Sequence, residues 1–144
     1  MKIYQFAFAA LSISAMSACA IRQEAMPVML TAGEDICVVH NAAVRDTVEP
    51  IIVDALQKKG FSPRIVQLPV DASCTNKLEY TAKWSWDITT YMSKANLTFY
   101  QDGTKTGESF YDSKTAGGLN MSKWINAEEK LREMVDELFP AKGA

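Results

Sequence analysis

Apolar and polar residues alternate almost without a break over residues 77–88. Leu78, Tyr80, Ala82, Trp84, Trp86 and Ile88 hold the even positions; Glu79, Thr81, Lys83, Ser85 and Asp87 hold the odd ones. A strand sends successive side chains to opposite faces, so the pattern predicts one long β-strand with an aromatic face and a polar face. Two tryptophans on the apolar face predict burial, most simply beneath a pair of helices.

The rest of the chain supplies matching elements. Residues 36–40 form a short β-branched run, read as a strand. Val44, Val48, Ile51, Ile52, Ala55 and Leu56 follow helical spacing, with Asp46 or Thr47 as N-cap and Gly60 as the stop. Pro50 fits such a helix only in its first turn. Residues 64–70 read as a second strand, and a strand–helix–strand unit favours a parallel pair. After the long strand, residues 89–91 read as a turn and residues 92–101 alternate again. Asp102-Gly103 signals a hairpin. The returning strand, 106–112, is weakened by Gly107 and Glu108 and is expected at a sheet edge. Trp124, Ala127, Leu131, Met134, Val135 and Leu138 make an apolar stripe on a last helix, capped by Asn120 or Ser122 and stopped by Pro140. Its Glu128, Glu129, Lys130, Arg132, Glu133, Asp136 and Glu137 read as a solvated face.

The order is then β-α-β-β-β-β-α. Two one-sided helices and one mixed, mostly antiparallel sheet predict an α+β two-layer sandwich with both helices on one face. The opposite sheet face would be open. Thr81, Lys83, Ser85, Asp87, Thr98 and Tyr100 are its candidate binding residues, a polar mixture with one aromatic that suits a reversible interface.

Composition limits the possibilities. The chain has 144 residues, 48% hydrophobic and 22% charged, which is ordinary for one globular domain. A net charge of −2 gives no electrostatic footprint for nucleic acid.

Residues 1–18 read as a signal peptide: Lys2, an apolar run, then small residues. Met16-Ser17-Ala18-Cys19 resembles the lipobox of bacterial lipoproteins, with Met where Leu is usual. That resemblance implies cleavage before Cys19 and acylation (palmitate among the chains) of the new N-terminus. Ala18-Cys19-Ala20 also fits a cut after Ala20, which would leave a soluble periplasmic protein. In the lipoprotein reading Ala20 is not the Asp that retains such proteins at the inner membrane, which implies the outer membrane. Residues 19–35 read as a tether spanning roughly 20–25 Å, residues 36–140 as the domain, and 141–144 as a tail.

Two cysteines remain, Cys37 and Cys74. Export to an oxidising compartment and a single possible pairing predict a disulfide between them. Their spacing is not that of a CxxC redox motif. His40 is the one histidine. No ligand cluster accompanies it and no nucleophile elbow or phosphate loop is present, so no metal, cofactor or catalytic residue is expected.

Lipobox, tether and element order together resemble the small outer-membrane accessory lipoproteins of Gram-negative bacteria, among them the lipoprotein partner of lipopolysaccharide export. Two functional readings follow. One is a non-enzymatic, membrane-tethered periplasmic interaction protein, accessory to an envelope assembly, with an unknown envelope protein as partner. The other is a small-molecule or lipid binder, with a pocket between the helices and the aromatic sheet face at Tyr80, Trp84 and Trp86.

Overall fold

A computed structural model of the chain describes residues 21–113 and 124–141. Residues 1–18, read as a signal peptide, Cys19, the helix caps expected at Asn120 and Ser122, and residues 142–144 lie outside the described residues. The elements are β1 (Arg22–Met26), β2 (Asp35–Val39), α1 (Val48–Lys58), β3 (Ser62–Val66), β4 (Asn76–Asp87), β5 (Thr89–Gln101), β6 (Thr104–Asp112) and α2 (Ala127–Leu138). They build one six-stranded sheet in the order β1-β6-β5-β4-β2-β3. β2 is parallel to both β3 and β4, and the remaining pairs are antiparallel. The α+β class and the two-helix arrangement are as the sequence predicts.

Local chemistry explains the helices. Pro50 is the third residue of α1, where a missing N–H costs no helical bond. Gly60 ends the helix at φ 86°. Its N–H donates to Gln57 O and that of Phe61 to Leu56 O, the paired bonds of a Schellman motif. α2 starts at Asn126, whose side chain accepts from the Glu128 N–H at 2.9 Å. Arg132 bonds Asp54 and Lys59 bonds Asp136. Both contacts advance in the same direction along the two helices, which therefore run parallel.

Val48, Ile52, Ala55 and Leu56 of α1 and Leu131, Met134, Val135 and Leu138 of α2 close on Ile36, Val38, Leu78, Tyr80, Leu97, Phe99 and Tyr111. Phe99 meets Phe139 edge-on, with ring centroids 5.1 Å apart.

Several expectations are corrected. Residues 22–26, read as tether, form β1 and pair along β6 from Arg22↔Asp112 to Met26↔Glu108. β6 is therefore interior and not an edge; the edges are β1 and β3. Gly107 is buried because Val28 and the end of α2 come down on it. Lys130 leaves the solvated face: it is 5% exposed, bonded to Gln23 of β1 and to Glu133. β3 stops at Val66 ahead of Pro69, whose missing N–H suits no strand interior. No turn forms over residues 89–91, because β5 already begins at Thr89.

Trp84 is half-buried against the core, but Trp86 is 75% exposed and Ile88 73%. Both were expected inside. Past the row Lys83↔Lys94↔Asp112↔Arg22, the last complete one across four strands, β4 continues for four residues and β5 for five. The alternation continues into this arm, while the core residues of the helix layer end below it.

Candidate interaction surface

The face opposite the helices is built in rows. Lys83, Lys94, Asp112 and Arg22 stand abreast on β4, β5, β6 and β1; then Thr81, Asn96, Phe110 and Glu24; then Glu79, Thr98, Glu108 and Met26. Lys77 and Tyr100 pair in a further row. The sequence-predicted residues Thr81, Lys83, Thr98 and Tyr100 are thus brought together on one surface. Ser85 and Asp87 lie beyond it in the hairpin arm and are partly buried.

Ion pairs tie this surface down. Lys94 Nζ is 2.7 Å from Asp112 Oδ2 and Lys105 Nζ is 2.7 Å from Glu108 Oε2. Lys105 first, and the Asn96 amide second, hold the Glu108 carboxyl below the usual carboxylate range. Arg22 bonds Glu24 and also lies 5.6 Å from the centre of the Phe110 ring. Lys77 sits 4.4 Å over Tyr100. Met26 was not expected here, because β1 was not predicted; Phe110 lies on β6, a strand the sequence predicts without assigning its faces. Met26, 46% exposed, adds apolar surface to a mostly charged face.

The hairpin arm is the second exposed feature. Opposite Lys83 and Trp84 the β5 strand carries one extra residue, Ser93, whose hydroxyl donates to Lys83 O at 3.2 Å. Such a bulge sharpens the local twist where the arm leaves the sheet. Trp84, at the base, is covered by the Arg45 guanidinium 4.3 Å over its ring. Ile88, at the tip, has φ 65°. A β-branched residue in the left-handed region is an outlier that Asn, Asp or Gly would relieve.

His40 is not isolated. Its Nδ1 lies 2.9 Å from Glu49 Oε2, and the Tyr80 hydroxyl donates to the same oxygen at 2.8 Å. Burial first, and Glu49 as well, push the Tyr80 phenol up to about 12, although the Asn41 N–H pulls the other way. The contacts join β2, the α1 start and β4, which is a structural role. Among the described residues no group of three or more His, Cys, Asp and Glu is placed to hold a metal ion. Cys37 and Cys74 are bonded, with Cα atoms 5.9 Å apart; the bridge fastens the loop before β4 to the centre of β2.

The second reading expects a pocket beside Tyr80, Trp84 and Trp86. A crevice of about 720 Å³ sits between the C-terminal ends of the helices, lined by Leu30, Lys58, Lys59, Phe61, Arg132 and Phe139 among others. None of the three aromatic residues touches it. Among the described residues no helix is long and apolar enough to cross a membrane.

No family model and no curated protein sequence matches the chain. Its fold is similar to that of a solved variant of PelC, a dodecamer, from Paraburkholderia phytofirmans. The match has 12% sequence identity and a TM-score of 0.50, and covers 83% of this chain and 94% of that one.

Proposed function

We propose that the protein is a lipid-anchored, non-enzymatic interaction protein of the periplasm, held at the outer membrane by Cys19 and accessory to an envelope assembly. The observation that carries this reading is the row-built open face. Both helices lie on the other side, leaving a four-strand surface of charged and hydroxyl groups with Phe110, Tyr100 and Met26 set among them. Polar surfaces with a few aromatic and Met positions suit reversible partner binding. The Cys37–Cys74 bridge fits an exported protein. PelC of the same fold is a dodecamer, so copies of the chain itself count among the possible partners.

Crosslinking in intact cells, followed by purification of the tagged full chain, tests the reading. Lys83→Glu combined with Tyr100→Ala changes the open face without touching the core. The expected result is a normally folded variant that loses crosslinked partners recovered by the wild type. Full recovery of every partner by a folded variant removes this face from consideration. Intact mass of the membrane-extracted protein tests the anchor: a mature chain starting at Ile21 without acyl mass excludes it.

A further inference from the structure

Three features of the fold converge at one end of the sheet. The first is the position of the N-terminus. Arg22 opens β1 opposite Asp112, in the row that continues through Lys94 to Lys83. β1 therefore begins at the end of the sheet toward which β4 runs on to its hairpin. Cys19 precedes Arg22 by three residues, a chain reach of at most about 11 Å. The second is the arm. Trp86 is three residues past Lys83, about 10 Å along a strand, and it is 75% exposed. Ile88, at the tip, is 73% exposed and occupies a left-handed backbone conformation at φ 65°. An apolar, β-branched side chain in a strained and exposed turn points to a role outside the fold itself. The third is the collar of cations below the tip. Lys83 and Arg45 are exposed, and Arg22 and Lys94 stand in the same row as Lys83. Opposing them are Asp46, exposed beside Arg45, the half-buried Asp87, the exposed Glu24 bonded to Arg22 and the buried Asp112 bonded to Lys94, so the collar as a whole is balanced in charge.

We infer that this end of the domain docks directly on the lipid bilayer, with Trp86 and Ile88 seated in the interfacial layer beside the acyl anchor. The inference rests on the acylation of Cys19 proposed above. The structure supplies its motive, because β1 consumes the residues that a free tether would need. A domain whose sheet begins three residues from a lipidated cysteine has its Arg22 end held against the headgroups. Trp suits that layer, being apolar in body with one N–H for the polar side. Several acyl chains attach a protein stably without a second contact, so the arm would fix the orientation of the domain on the membrane and not its attachment.

The test uses the acylated full chain, reconstituted in vesicles of phosphatidylethanolamine and phosphatidylglycerol that carry bromine near the top of the acyl chains. Its tryptophan emission is compared with that of Trp86→Phe and of Ile88→Asn, which relieves the tip strain and so keeps the fold. The expected result is clear quenching of the wild type, most of it lost in Trp86→Phe and reduced severalfold in Ile88→Asn. An acylated, vesicle-bound wild type quenched no more than Trp86→Phe overturns the docking alone and leaves the anchor standing. Trp86 shielded from aqueous iodide but not quenched by bromine means that a protein surface covers the arm, which also overturns it. A full chain recovered from cells without acyl mass on Cys19 overturns both readings.

Discussion

Gly107 of β6 lies directly beneath Val28 of the β1–β2 connection. A methyl group added at Gly107 would fall on Val28 Cγ2, with Leu138 Cδ1 at 2.9 Å and Met26 O at 3.2 Å. The Val28 N–H donates to Leu138 O at 2.7 Å, so the connection and the end of α2 are fastened together over this glycine. Gly107→Ala is therefore expected to destabilise by about 1–3 kcal/mol through overpacking, read as a lower urea midpoint with an unchanged slope. A shift below about 0.5 kcal/mol would mean that Val28 yields freely and that β1 is only loosely held.

The Cys37–Cys74 bridge joins positions 37 residues apart in sequence. Closing a loop of that length removes unfolded-state entropy worth roughly 4 kcal/mol in the chain-entropy model, a large part of the usual total for a domain. The double Ala variant should unfold at a much lower denaturant concentration than the oxidised protein. Adding reductant should lower the wild-type midpoint and leave the variant unmoved. Equal midpoints for the variant and the oxidised wild type would show that the loop before β4 is already ordered without the bridge.

Much of this architecture was legible because burial on one side enforces a period. Leu78, Tyr80 and Ala82 alternate with exposed or half-exposed neighbours and are buried. Asp102-Gly103 turns with positive φ at both residues, as that dipeptide favours. What failed did so for definite reasons. Arg22–Met26 is RQEAM, a polar segment whose strand character comes from its pairing with β6 and not from its own composition. Missing it made β6 look like an edge, Gly107 like a weakness and Lys130 like a surface residue. Trp86 obeys the alternation that identified β4. Alternation assigns a face, however, and cannot tell how far along the strand the helices cover it. The residues of the open face were legible one strand at a time, whereas the rows that join Lys83 to Arg22 exist only in the sheet register.

Tyr80 gives a pH dependence of definite sign. It is 3% exposed, and burial together with Glu49 raises its phenol from 10.0 to about 12. Between those values the unfolded chain has released its proton and the folded one has kept it. Stability is therefore complete below about pH 10 and falls as pH rises toward 12. Burial raises Tyr111 as well, so it adds to the fall. Tyr80→Phe should lower the urea midpoint near pH 8 by about 1 kcal/mol, through loss of the bond to Glu49. It should also make the decline between pH 10 and 12 shallower without abolishing it. Parallel curves for the two proteins over that range would assign the alkaline transition to other groups.

Ile88 offers the opposite case, a position where a substitution should stabilise. Its φ of 65° places a β-branched side chain where the left-handed backbone costs roughly 1–2 kcal/mol for an ordinary L-residue. With 73% of its surface exposed, it recovers little of that by burial. Asn tolerates the conformation through local hydrogen bonding and adds little freedom to the unfolded chain. Ile88→Asn should thus raise stability by about 1 kcal/mol. Ile88→Gly should gain less, because glycine loses more entropy on folding. Ile88→Ala keeps a Cβ in the strained conformation and should stay near the wild type. Urea midpoints of the four purified soluble domains would order as Asn, Gly, then Ala with Ile. If Asn and Ala shift the midpoint equally, the tip relaxes in solution and the native turn stores no strain.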